Sequence, residues 1–234
     1  MIRLMLGRRS QGKTTLGYFV ARQSPARMIF DPRGMVRSDA STVETSDPGI
    51  RDGSEDLIDG RITELVVTPA ANVNARFATF CKGARAHITA HPHKPFAILI
   101  DEVRFMDIRD ENLDWIMRTS NVDRVQVIFT GHRPKDIPTD IRAIADSWNL
   151  FQFTLARDIA VIEEQTSPTV ARDVQRLSPR CFIEWNDQIG AARYFSDPSK
   201  WYVRLRAADA DPEPAQVEQP IEPDAPIRNR LWDE

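Results

Sequence analysis

Cysteine is scarce in this sequence. Cys81 and Cys181 are the only two in 234 residues, too few and too far apart for a zinc cluster or a disulfide framework. Free thiols in a reducing compartment are expected. No run of eighteen apolar residues occurs, because charged or polar residues interrupt every hydrophobic stretch, and no secretory leader is recognisable. The expectation is a soluble protein with no membrane insertion. A strongly basic charge is lacking too: Lys and Arg number 31 against 34 Asp and Glu, a net charge of −3. That charge is unevenly spread. From Ala207 onward, Asp209, Asp211, Glu213, Glu218, Glu222, Asp224, Asp233 and Glu234 face only Arg228 and Arg230. The tail therefore carries −6 and the body about +3 of the total of −3. A mildly basic body is compatible with nucleic acid without arguing for it unaided.

What is present begins at Gly7-Arg8-Arg9-Ser10-Gln11-Gly12-Lys13-Thr14, which fits the phosphate-binding pattern G-x-x-x-x-G-K-[ST] at every defined position. Apolar Ile2, Leu4, Met5 and Leu6 predict a strand before it, and Thr15 to Gln23 predict a helix after it, the context that makes the motif credible. Gly7 and Gly12 allow the backbone to wrap closely around an anion, with the N–H groups from Arg8 to Thr15 aimed at phosphate oxygens. Lys13 then reaches the β/γ oxygens of ATP, and the Thr14 hydroxyl is a ligand for Mg²⁺. A glycine turn matching the pattern by chance is the alternative.

A second stretch, Phe96-Ala97-Ile98-Leu99-Ile100-Asp101-Glu102, places five apolar residues before two acids. This describes a strand buried on both faces of a parallel sheet, with its carboxylates emerging at the nucleotide edge. Downstream of a phosphate loop it reads as a Walker B strand. Asp101 would hold Mg²⁺, and Glu102 would orient and deprotonate the attacking water. Val125 to Thr130 predict a neighbouring buried strand leading into Gly131-His132-Arg133-Pro134. His132 or Thr130 at its tip is placed to sense the γ-phosphate.

Elsewhere, Arg27 to Phe30 and Glu64 to Thr68 read as strands, and Val73 to Arg85 and Glu111 to Arg118 as helices, with Phe77, Phe80 and Cys81 on one face. From Arg33 to about Asp59 a long polar loop is expected, with Arg33, Arg37 and Arg51 as candidate partner contacts or plain solvated residues. Ala86 to Pro95 carry His87, His91 and His93 beside Lys82, Arg85 and Lys94. No acid or cysteine accompanies these histidines, so a basic surface loop is expected rather than a metal site. Arg180 to Trp185 and Ala191 to Phe195 flank a polar, glycine-containing turn and predict a hairpin at a sheet edge or subunit contact. The Pro- and acid-rich tail is expected to be disordered, with Leu231-Trp232 as an apolar pair near its end.

Together these readings give an α/β fold, a P-loop NTPase with a mainly parallel central sheet flanked by helices. A C-terminal β-hairpin completes domain 1–206, and residues 207–234 form the tail. The run from Arg124 to Phe153, containing VIFTGHRPKDIPTDIRAIADSWNLFQF, together with both Walker motifs, resembles the FtsK–HerA superfamily of DNA-pumping ATPases. It is most similar there to the small genome-packaging ATPases of tailless, membrane-containing viruses. The resemblance spans roughly Ile2 to Gln165 and departs in one respect: His132, preceded by Gly131, stands where that superfamily commonly has glutamine. It implies ATP hydrolysis with Mg²⁺, a homo-oligomeric ring, commonly a hexamer, around double-stranded DNA, and capsid vertex proteins as further partners. Host cytoplasm or the virion's packaging vertex is the implied location. An arginine from one subunit would reach the nucleotide of the next. Arg118, which precedes the sensor strand, is the candidate for that role, with Arg124 and Arg142 as rivals, and a plain surface arginine is the alternative reading for each. A small-molecule kinase and a filamentous-phage-type morphogenesis ATPase remain open. Stimulation of hydrolysis by DNA separates the motor from both.

Overall fold

The computed structural model describes residues 1–36, 42–107, 109–119 and 124–195. In chain order they form β1 (Ile2–Leu6), α1 (Lys13–Ala21), β2 (Ala26–Phe30), β3 (Thr42–Glu44), α2 (Asp47–Ile58), β4 (Glu64–Val67), α3 (Val73–Ala90) and β5 (Phe96–Ile100). There follow α4 (Glu111–Thr119), β6 (Val125–Gly131), α5 (Thr139–Ala143), β7 (Ser147–Leu150), α6 (Ala156–Gln165), α7 (Pro168–Asp173), β8 (Phe182–Asn186) and β9 (Ala191–Phe195).

The strands make one nine-stranded sheet in the order β3-β4-β2-β5-β6-β1-β7-β8-β9. Pairing is parallel from β3 to β7, while β8 runs antiparallel to β7 and β9 antiparallel to β8. The expected hairpin thus extends the sheet edge. Every residue of β4 and β5 is buried, as strands covered on both faces require. On one face Phe30 meets Phe77 and Phe80 of α3 edge-on at 5.0 and 5.3 Å. On the other lies α1, which packs on β1, β5 and β6. Its Gly17 permits the close approach, since a Cβ there would touch Leu99 at 3.0 Å and both Met5 and Thr130 at 3.4 Å. Because β1, β5 and β6 are adjacent and parallel, the loops leaving their carboxyl ends converge at one edge of the sheet.

Two expectations are corrected. The segment from Arg33 to Asp59 is not one long loop, for it contains β3 and α2. The Ser46 hydroxyl caps α2 by accepting the Gly49 N–H at 3.3 Å. The buried stripe of α2 is Ile50, Gly53, Ser54 and Leu57, at the spacing of one helix face. Its two middle members are small, so the apolar period is hidden. Gly53 lies against Leu65, and a side chain on Gly83 of α3 would collide with Ser54, so α2 and α3 pack closely through small residues. The second correction concerns Ala86 to Pro95. Helix α3 continues to Ala90, and His87 is buried on its inner face, stacked on Phe96 at 4.3 Å. His91 is half-buried, with Nε2 2.7 Å from the Ile58 carbonyl, and only His93 is exposed. Arg37, Leu231-Trp232 and the whole tail from Ala207 lie outside the described residues.

Candidate nucleotide site

The loop after β1 is shaped by backbone the sequence specifies. Gly7 takes no side chain because a Cβ would run into Phe151, and its N–H is donated to Gly131 O at 3.2 Å. Gly12, at φ 96°, and Ser10, at φ 63°, adopt the left-handed conformation that turns successive N–H groups inward. Lys13 opens α1 and is buried, with Nζ donating to Arg8 O at 3.0 Å across the concave side of the loop. Burial lowers its proton affinity, opposed by the charges of Glu102 and Asp101. Arg8, Arg9 and Ser10 are exposed on the loop's rim, Gln11 is buried, and Thr14 and Thr15 are half-buried in the first turn of α1.

Asp101 and Glu102 sit where β5 ends beside this loop. Thr14 Oγ1 donates to Asp101 Oδ1 at 2.8 Å, and Thr130 Oγ1, from the tip of β6, donates to the same oxygen at 2.6 Å. The Glu102 N–H in turn donates to Thr130 Oγ1 at 3.0 Å. Burial raises the Asp101 carboxyl to about 6, against the lowering effect of those two hydroxyls. Its Oδ2 is buried with no partner among the described residues. Asp101 and Thr14 therefore fit a Mg²⁺ that takes its remaining ligands from phosphates and water; when bound, the ion would supply positive charge against the phosphates. Glu102 is held at φ 53°, a strained conformation for a residue with a Cβ. Its Oε1 lies 2.9 Å from His132 Nε2 and 3.8 Å from Arg33, and its Oε2 lies 3.6 Å from Arg104. Burial and the Lys13 charge hold His132 below the ordinary histidine value, while Glu102 pulls the other way.

The structure thus brings together Lys13, Thr14, Asp101, Glu102, Thr130 and His132. It does not bring Arg118 to this group. Arg118 projects from α4 with its side chain 77% exposed and pairs with Asp114 one turn earlier at 2.8 Å. Arg124 donates to the His93 carbonyl, and Arg142 to Thr139 Oγ1 at 3.0 Å. Sequence reasoning missed Arg104 at this site and marked Arg33 only as a partner contact. It also missed Arg133, whose guanidinium grips the buried Asp158 carboxylate in a bidentate pair, Nη2 donating to Oδ1 at 3.0 Å and Nε to Oδ2 at 3.1 Å. Arg133 follows His132 directly, but Asp158 lies 25 residues further on with nothing in the sequence to link them. That pair lines a cleft of about 330 Å³ together with the rim arginines Arg8 and Arg9, His132, Phe153 and Leu155.

No protein-family model and no curated protein matches the chain. Solved structures do match it. The genome packaging NTPase B204 of Sulfolobus turreted icosahedral virus 2, in complex with AMPPCP, gives a TM-score of 0.66 at 18% identity, over 83% of this chain and 96% of that one. Its complex with ATP-gammaS gives 0.66 at 17% identity over the same shares. B204 of Sulfolobus Turreted Icosahedral Virus, the DNA-packaging ATPase, gives 0.63 at 18% identity over 83% and 96%. At such identities the likeness speaks of the fold, and the chain has the P-loop NTPase fold that these structures share.

Proposed function

We propose that this protein is an ATPase of the FtsK–HerA type that hydrolyses ATP with Mg²⁺ to move double-stranded DNA, packaging a viral genome into a preformed capsid. The observation that carries the reading is a complete phosphate loop set against Asp101 and Glu102 on a fold like that of B204, whose structures are described as a genome packaging NTPase. In this reading the loop N–H groups and Lys13 bind the β- and γ-phosphates. Releasing Arg8 O, Lys13 Nζ turns to the nucleotide. Thr14 and Asp101 are the Mg²⁺ ligands. Glu102 accepts a proton from the attacking water, and His132 and Thr130 respond to the γ-phosphate from the tip of β6.

The working form is a homo-oligomeric ring, a hexamer by resemblance, with Arg118 of each subunit turned toward the nucleotide of the next. High exposure and a surface ion pair leave Arg118 able to serve a neighbour. Capsid vertex proteins are the further partners, and the host cytoplasm and the virion's packaging vertex the locations. Among the described residues no helix is long and apolar enough to cross a membrane. ATP hydrolysis measured with and without duplex DNA tests the proposal. Hydrolysis stimulated by DNA is expected, whereas hydrolysis indifferent to DNA, or an acceptor-dependent product, would replace the motor with an assembly factor or a kinase.

A further inference from the structure

Arg33 leaves β2 in the turn Asp31-Pro32-Arg33-Gly34, and that turn is built around a fully buried acid. The Asp31 carboxylate accepts the N–H of Arg33 at 3.1 Å and of Val36 at 2.6 Å, while the Asp31 N–H is donated to Val67 O at 2.8 Å. Gly34, at φ 63°, closes the turn with its N–H on Asp31 O at 3.3 Å. Asp31 has no ion pair among the described residues, so its carboxylate serves the backbone of this turn. The effect is to fix where Arg33 leaves the chain, at the sheet edge next to β5. There the Arg33 side chain is 27% exposed and its guanidinium makes no hydrogen bond among the described residues. Glu102 Oε1, at 3.8 Å, is the carboxylate oxygen it faces. A partly desolvated guanidinium with its donors unused, facing the acid that ends β5 beside the phosphate loop, is a site for a phosphate oxygen. Arg104, the other arginine near Glu102, is more exposed, at 46%, and lies over the Phe105 ring at 4.8 Å.

We propose that Arg33 is a catalytic residue supplied by the same chain as the phosphate loop, contacting the γ-phosphate of the bound nucleoside triphosphate. The inference rests on the nucleotide-hydrolysis reading of this site and adds to it an arginine that needs no neighbouring subunit. In the reaction the water oxygen bonds to the γ-phosphorus as the bridging bond to the β-phosphate breaks. That electron pair leaves with ADP, and the water proton passes to Glu102. Charge on the leaving and transferring oxygens grows along this path, and a guanidinium already in place stabilises it without reorganisation. Arg33 faces the Glu102 carboxylate at 3.8 Å, so a γ-phosphate competes with Glu102 for Arg33 and frees Glu102 to meet the water.

The test compares the parent, Arg33→Ala and Arg33→Lys as full chains. Each is assayed for ADP and ATP-gammaS affinity, for turnover, and in mixtures with Lys13→Ala chains. Arg33→Ala should bind ADP as the parent does, lose roughly tenfold in its preference for ATP-gammaS over ADP, and turn over roughly 10²- to 10³-fold more slowly. Arg33→Lys should recover part of both. Mixing Arg33→Ala with Lys13→Ala chains should restore nothing, because both groups are needed on one chain. A parent-like triphosphate preference in Arg33→Ala overturns the inference, and so does rescue in the mixture. A parent that fails to hydrolyse ATP removes the proposed function, while the ATP-gammaS and ADP comparison still decides the place of Arg33.

Discussion

Thr130 gives its hydroxyl proton to Asp101 Oδ1 at 2.6 Å while accepting the backbone N–H of Glu102 at 3.0 Å. One buried side chain therefore fixes both acids of the site, holding the carboxylate of the first and the strained backbone of the second. Thr130→Val keeps the shape and removes both bonds. It should cost about 1–3 kcal/mol of stability, read from urea midpoints, because a buried N–H loses its acceptor. Turnover should fall at least about tenfold, and Thr130→Ser should restore it. Parent-like turnover in Thr130→Val would leave Thr130 a packing residue only.

Lys13 and Glu102 divide binding from chemistry. Lys13→Ala removes the one buried cation that spans the phosphate loop and should abolish ATP binding. Glu102→Gln keeps the side chain's shape but loses the proton acceptor, so ATP should remain bound while turnover stops. Equal hydrolysis by Glu102→Gln and the parent would remove Glu102 from the mechanism.

Much of this site was legible because its signals are local. The phosphate loop is eight consecutive residues with glycines where the backbone demands them, and FAILI before Asp101 is an uninterrupted buried strand. Helix α2 was hidden because its buried stripe contains Gly53 and Ser54, whose fit depends on Leu65 and Gly83 in other elements. His87 was misread for a similar reason. The histidine-rich run looked like exposed loop, yet α3 carries it inward onto Phe96, a stacking partner nine residues away. Arg33 reaches Glu102 only through the sheet order, which places β2 beside β5, whereas Arg104, two residues after Glu102, reaches it through the single 3-10 turn that follows β5. Charge composition could not reveal that arrangement.

The buried position of His87 has a consequence for acid stability. Burial, with His91 and Lys94 nearby, lowers its value to about 4, and neither ring nitrogen has a partner among the described residues. The unfolded chain takes up this proton near 6.5 and the folded chain only near 4, so stability is full above 6.5 and is lost as pH falls through that window. By linkage the loss amounts to about 3 kcal/mol. His87→Leu should flatten the dependence of Tm on pH between those limits without changing turnover at neutral pH. An unchanged slope would assign the acid sensitivity to other groups.

Arg118 and Arg33 should behave in opposite ways in mixed assemblies. The Arg118 side chain is 77% exposed on α4 and paired with Asp114, so in the proposed ring its role would be on a neighbour's nucleotide. Arg118→Ala should keep ATP affinity, lose roughly 10³-fold in turnover, and regain part of it when mixed with Lys13→Ala chains. Full activity in Arg118→Ala would pass the role to Arg124 or Arg142. A fully active monomer would remove it from all three.

DNA binding tests the remaining part of the proposed function. A body of about +3 exposes Arg51, Lys82 and Lys94, charges suited to phosphates, and a translocating motor must grip every sequence it passes. Contacts should therefore run mainly to phosphates. Affinity should be insensitive to sequence and fall steeply with salt, with a log–log slope of roughly −0.9 for each phosphate neutralised. The tail beyond Arg206, at −6, should compete electrostatically with duplex for basic surface. Removing it should tighten binding at low salt, and the difference should shrink as the Debye length falls from about 30 Å at 0.01 M to about 8 Å at 0.15 M. Duplex affinity of full-length and truncated chains across a salt series reads both effects at once. If neither chain binds duplex at low salt with ATP present, DNA is not the substrate, and a motor acting on it is ruled out whatever the ATPase rate.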